Sequence, residues 1–208
     1  MPKTSNMKEQ IIDCAQQLFN KKGYTQVSLR EIAETTGTTI GNLTYHFPHK
    51  EDLLIEIQDS FHRNSSDTLI EPNSDADILS CLFHSFKNAQ RRHAITPFYY
   101  RHILELSMDS SIILKNNEEF RKILYDYYLD MFYQARDGMI MRADIPDKIY
   151  ENLSYTLVLS LTTWIHVASP YYDKQLPTIE VSDGLFSSLY PFLTDIGKEQ
   201  YKALNGPL

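Results

Sequence analysis

The sequence predicts an all-α protein, a small three-helix head followed by a larger helical body. Three observations carry this. Apolar residues recur every three or four positions through most of the 208 residues, the spacing of one helix face. No stretch alternates apolar with polar residues, and no Asn-Gly hairpin signal occurs, so nothing supplies a sheet. Hydrophobic residues make up 42% of the chain, enough apolar surface to offset chain entropy in a folded core.

The first helix is predicted from Ser5 or Asn6 to Lys22. Asn6 with Glu9 forms a capping box, and Ile11, Ile12, Ala15, Leu18 and Phe19 make one apolar stripe. Lys21 and Lys22 meet the negative end of the helix dipole before Gly23 stops the helix. Ser28 and Glu31 form a second capping box, with Val27 stapled against Ile32. Leu29, Ile32 and Ala33 then face inward, and Gly37 sits where a left-handed residue ends the helix. A third helix of barely two turns follows from about Thr39, with Leu43 and Phe47 on its inner face. An isolated helix this short is marginal in water, so the other two must clamp it. Its outer side keeps Ile40, Asn42, Thr44, Tyr45 and His46.

That arrangement is a helix-turn-helix, whose second helix enters the DNA major groove. Asn42 suits an adenine edge and Ile40 a thymine methyl. Ser28, Thr39, Thr44, Tyr45 and His46 carry groups suited to phosphates or base edges. Arg30 reaches a phosphate or a groove edge, or pairs with Glu34 four residues on. Lys50 is expected to meet the DNA backbone as a point charge.

The ordered series from Ala15 to Leu54, AQQLFNKKGYTQVSLREIAETTGTTIGNLTYHFPHKEDLL, resembles the DNA-binding domain of TetR/AcrR-type transcriptional regulators. The resemblance rests on the Ala15 to Leu18 run, Gly23-Tyr24, Arg30-Glu31-Ile32-Ala33, Gly37, and Tyr45-His46-Phe47 to Lys50. It implies an all-helical homodimer, a repressor on a palindromic operator, with a C-terminal domain that answers to a small molecule. The chain departs from the family at Thr44, where Tyr is common, and at Ile40, where a polar residue is frequent. Operator preference therefore does not transfer.

The domains are predicted as residues 1–50 for the head and 51–208 for the effector-binding and dimerisation body, with a linking helix from Lys50 to Leu69. Glu71-Pro72-Asn73-Ser74 ends that helix, and another starts near Asp75 with Ile78, Leu79, Leu82, Phe83 and Phe86 on one stripe. Pro97 opens Phe98 to Met108. Asn117-Glu118-Glu119 precedes the clearest periodicity, Phe120, Ile123/Leu124, Tyr127/Tyr128, Met131/Phe132 and Ala135. Pro146 starts a helix without charge from Asn152 to Val167. A last helix runs from Ser182 or Asp183 to Ile196, bent at Pro191.

A helix apolar over most of its circumference is buried on more than one side. The last two helices, about 146–168 and 182–196, are therefore assigned to a four-helix dimer interface of the kind the resemblance implies. DNA geometry agrees, since two recognition helices about 34–36 Å apart read a palindrome. For the effector, Tyr100, His102, Tyr128, Phe132, Trp164 and His166 are the aromatic and polar candidates to line a pocket.

Charge and cysteine content bound the alternatives. The net charge is −7, yet residues 1–50 carry six Lys and Arg against four Asp and Glu, net +2, leaving −9 on the remainder. A weakly basic head on an acidic body fixes which end approaches DNA. Cys14 and Cys81 have no partner pattern, which speaks for a reducing cytoplasm and against a disulfide or cysteine metal site. No signal peptide or membrane span is expected, and no cofactor. No glycine-rich phosphate loop, nucleophile elbow or HExxH helix supports an enzyme. The rival reading is a DNA-binding regulator without an inducer, controlled by a protein partner.

Overall fold

The computed structural model describes residues 7–63, 69–73, 78–167 and 180–205. Ten helices are found among them: α1 (Met7–Lys22), α2 (Leu29–Thr36), α3 (Ile40–His46), α4 (Lys50–Arg63), α5 (Ile78–Ile95), α6 (Pro97–Asp109), α7 (Ser111–Asp137), α8 (Asp147–Val167), α9 (Val181–Ser188) and α10 (Asp195–Asn205). No strand occurs among the described residues; an isolated antiparallel bridge pairs Met141 with Leu193. The all-α expectation holds. The chain divides into two compact units, Met1–Arg63 with Thr96–Leu114, and Asn64–Ile95 with Lys115–Leu208.

In the first unit, α1, α2 and α3 close on each other through Ile11, Ala15, Phe19, Ile32, Ala33 and Leu43, all at most 2% exposed. Phe47, Leu53, Leu54 and Ile57 continue that core into α4. The unit is larger than residues 1–50, because α6 supplies part of its core. Phe98 packs on Phe19 with ring centroids 5.3 Å apart. Gln58 is fully buried and donates from Nε2 to the Tyr99 hydroxyl at 2.6 Å and to the Ile113 carbonyl at 3.1 Å. Burying an amide is tolerable only when it is bonded in this way.

The second unit has its core among Leu79, Leu82, Phe86, Tyr128, Phe132, Tyr150, Leu161, Phe186 and Leu193. Two sequence-predicted boundaries move. The predicted end of the linking helix at Leu69 is not among them: α4 is described to Arg63, residues 64–68 lie outside the described residues, and 69–73 are irregular. α7 begins at Ser111, because buried Asn117 lies on the stripe running from Ile113 to Phe120 and Leu124 rather than marking a boundary. The last helix is broken, not bent. α9 stops at Ser188, a 3-10 turn spans Tyr190–Phe192, and the Thr194 hydroxyl accepts the Gly197 amide at 3.2 Å to open α10. Gly197 is required there, since a Cβ would lie 2.3 Å from the Ile140 carbonyl oxygen.

Candidate nucleic-acid interface

The local folding of the helix-turn-helix follows its caps. Ser28 adopts an extended backbone and its Oγ accepts the Glu31 amide at 3.2 Å. Gly37 ends α2 with φ of 76°, and the Thr38 amide returns to the Ala33 carbonyl at 2.9 Å. Thr39 then caps α3, its Oγ1 accepting the Asn42 amide at 3.1 Å. Each such side-chain cap contributes about 1 kcal/mol, which a seven-residue helix needs. Leu43 and Phe47 anchor α3 inward, both nearly fully buried.

The outward side of α3 is open. Tyr45 is 83% exposed and Ile40 47%, while His46 is half-buried, its ring edge-on to Tyr45 at 5.3 Å. Asn42 is exposed, and its Nδ2 donates to the Thr38 hydroxyl at 2.8 Å. The Thr44 hydroxyl turns back to the carbonyls of Ile40 at 2.9 Å and Gly41 at 3.2 Å. Its proton is thus spent within the helix, leaving a methyl and oxygen lone pairs for any outside contact. Ser28 and Thr39 use their oxygens as cap acceptors, so their hydroxyl protons are the parts left to donate.

Two of the predicted cations are engaged. Arg30 Nε meets Glu34 Oε1 at 3.1 Å, both side chains being largely exposed, a weak pair that a phosphate can replace. Lys50 is held more firmly: Nζ donates to the carbonyls of Tyr24 at 2.9 Å and Val27 at 3.0 Å, and lies 4.3 Å from the Tyr24 ring centroid. Burial lowers its pKa from the ordinary lysine value. Lys50 therefore fastens the turn between α1 and α2, and only one of its three N–H groups is left over. The DNA-backbone contact read from the sequence would have to use that remaining N–H. Lys22 also pairs with Glu31.

Sequence reasoning missed Thr38 and Tyr24. Thr38 stands four residues before Asn42, a spacing that signals a side-chain pair; the Tyr24 contact bridges 26 positions and leaves no local signal.

The predicted effector residues fall in both units. Tyr100, buried, and His102 belong to the first unit; the His102 ring is exposed and pairs with Glu105 at 3.0 Å. Tyr128 and Phe132 lie in the core of the second unit, packed on Phe86 and Tyr150. The side chains of Trp164 and His166 lie outside the described residues. No group of three or more His, Cys, Asp or Glu among the described residues could hold a metal, and no described helix is long and apolar enough to cross a membrane.

Comparison with known proteins places this geometry. Residues 11–57 match the family described as bacterial regulatory proteins, tetR family. The chain is 32% identical over 113 residues to the probable HTH-type transcriptional regulator YttP of Bacillus subtilis (strain 168), a match covering 51% of this chain and 53% of that protein. It thus spans about half the length of that relative. Among solved structures, a TetR-family transcriptional regulator from Marinobacter aquaeolei VT8 superposes with a TM-score of 0.80, at 20% identity, over 96% of this chain and 97% of that one. A SmeT–triclosan complex superposes with a TM-score of 0.60 at 19% identity, over 91% and 92% of the two chains. The resemblance to TetR-type regulators is borne out, and the protein relative is named as a regulator, not as an enzyme.

Proposed function

We propose, from the premise of a tetR-family head, that the protein binds a palindromic DNA operator as a homodimer, represses transcription there, and is released by a small molecule. The observation that carries this reading is the outward face of α3. Leu43 and Phe47 pin the helix, while Ile40, Asn42, Tyr45 and part of His46 remain accessible beside Ser28, Arg30 and Thr39. A short, capped, clamped helix with an uncovered polar face fits a major groove.

For the dimer, α8 offers the surface. Asn152, Tyr155, Thr156, Leu159 and Thr163 form one exposed stripe without charge, Tyr155 being 57% exposed. The part assigned to the last helix changes. Leu185, Phe186, Leu189 and Leu193 are buried in their own subunit's core, so α9 contributes its small exposed side, Gly184, Ser187, Ser188 and then Pro191. Small residues let a partner helix come close.

For the effector, the second unit carries a buried polar handle. The Tyr128 hydroxyl is fully enclosed beside Ser85, whose own proton goes to the Leu82 carbonyl at 2.8 Å, leaving the Ser85 oxygen to accept from Tyr128. A polar ligand atom that reached this pair would compete for the same proton. Release then follows if the ligand favours a head spacing that no longer fits two adjacent grooves.

Selection of duplexes from a randomised pool, followed by sedimentation of the selected complex, tests the reading. A palindromic site holding two chains is the result expected. A selected site without symmetry, or a monomer on it, would count against the dimer; no selected duplex would count against DNA binding.

A further inference from the structure

We infer that the recognition helix selects adenine–thymine pairs, with Asn42 and the Ile40–Thr44 methyl strip as readers and Thr38 as the residue that positions Asn42. The inference rests on the DNA-binding reading above. From Thr38 to His46 the chain holds no Arg or Lys, so the two-donor fork that recognises guanine O6 and N7 is missing from this face. Tyr45 and His46 each offer one outward polar edge, which does not reproduce that fork.

What the face does hold matches the other pair. The Asn42 amide gives one hydrogen to Thr38 Oγ1 at 2.8 Å. The second amide hydrogen and Oδ1 remain, the donor and acceptor that adenine N7 and N6 require. Thr38 is itself fixed, its amide bonded to Ala33 O at 2.9 Å directly after the Gly37 cap. The Asn42 side chain is therefore oriented before DNA arrives, and less rotamer freedom is lost on binding. Ile40 and Thr44 stand four residues apart on one face. Because the Thr44 hydroxyl is turned to Ile40 O at 2.9 Å, that face meets the groove with methyl groups, the complement of a thymine C5-methyl.

The test is selection from a randomised duplex pool with the full chain and its Thr38→Val, Thr38→Ser and Asn42→Ala variants, each checked by thermal melting and by affinity for an unselected duplex. The wild type should enrich half-sites with an adenine–thymine pair at a position where substitution costs roughly tenfold or more in affinity. Asn42→Ala and Thr38→Val should lose that preference and Thr38→Ser should keep it, with the melting temperature of both Thr38 variants unchanged. A general structural role for Thr38 would move the melting temperature and both affinities together, and that outcome overturns the positioning role. Enriched half-sites read through guanine, or a Thr38→Val variant with wild-type preference, also overturn the inference while leaving DNA binding in place. If the wild type enriches no duplex, the DNA reading falls and takes the inference with it.

Discussion

The Lys50 ammonium lies 4.3 Å from the ring centroid of Tyr24 and donates to the carbonyl of that same residue at 2.9 Å. One side chain thus ties the start of α4 to the turn that leads into the helix-turn-helix. Replacing Lys50 by Ala removes two charge-assisted hydrogen bonds and a cation–π contact from a partly buried site. The head should lose about 1–2 kcal/mol, measured by denaturant or thermal unfolding. DNA affinity should fall while its salt dependence stays unchanged. A free phosphate contact at Lys50 would instead flatten the log-log salt slope by about 0.9 and leave stability alone.

Glu34 holds Arg30 at 3.1 Å on the surface. An exposed i to i+4 pair of this kind is worth a few tenths of a kcal/mol, and DNA must displace the carboxylate to engage the guanidinium. Glu34→Gln should therefore raise DNA affinity by about two- to fivefold at low salt, an effect that fades as salt screens it. Fluorescence anisotropy across a salt series measures this. An affinity that drops on the substitution would place Arg30 away from the DNA.

His93, 5% exposed near the end of α5, has its pKa lowered to about 3 by burial and by the neighbouring Arg92 cation. The folded chain therefore keeps this imidazole neutral where the unfolded chain, with a value near 6.5, takes up a proton. Between those two values the unfolded state binds more protons, so stability rises with pH there and is lost as pH falls below about 6.5. At pH 5 the loss from this residue is about 2 kcal/mol relative to pH 8. The His93→Gln variant should show that much less change between the two pH values in denaturant unfolding. An identical pH slope in both proteins would refute it.

The head was legible because its signals are local. Ser28 with Glu31, Gly37, and the pairing of Leu43 with Phe47 are read within a few residues, and α2 and α3 fall where those signals put them. The body was harder for identifiable reasons. Asn117-Glu118-Glu119 looks like a boundary, yet buried Asn117 continues an apolar stripe, so α7 starts earlier than predicted. Pro191 signalled a bend, but the Thr194 cap and the close approach of Gly197 to Ile140 start a separate helix. That Phe98 and Tyr99 fill the head's core is a long-range fact with no local pattern. In the site, the residue types on α3 were readable. Their commitments were not, because Asn42 to Thr38, Thr44 to Ile40 and Lys50 to Tyr24 are choices of rotamer.

The central claim is that the outer face of α3 touches DNA, and Gly41 tests it most directly. Outside its own helix turn, a Cβ built on Gly41 meets nothing within 4 Å among the described residues, so the missing side chain serves no packing purpose there. Gly41→Ala should stabilise the helix by about 0.5–1 kcal/mol while adding a methyl where backbone would approach DNA closely. Affinity for the selected duplex, measured beside the unfolding midpoint, should fall at least about tenfold (about 1.4 kcal/mol) as the midpoint holds or rises. A better-folded variant with undiminished DNA affinity would contradict the account.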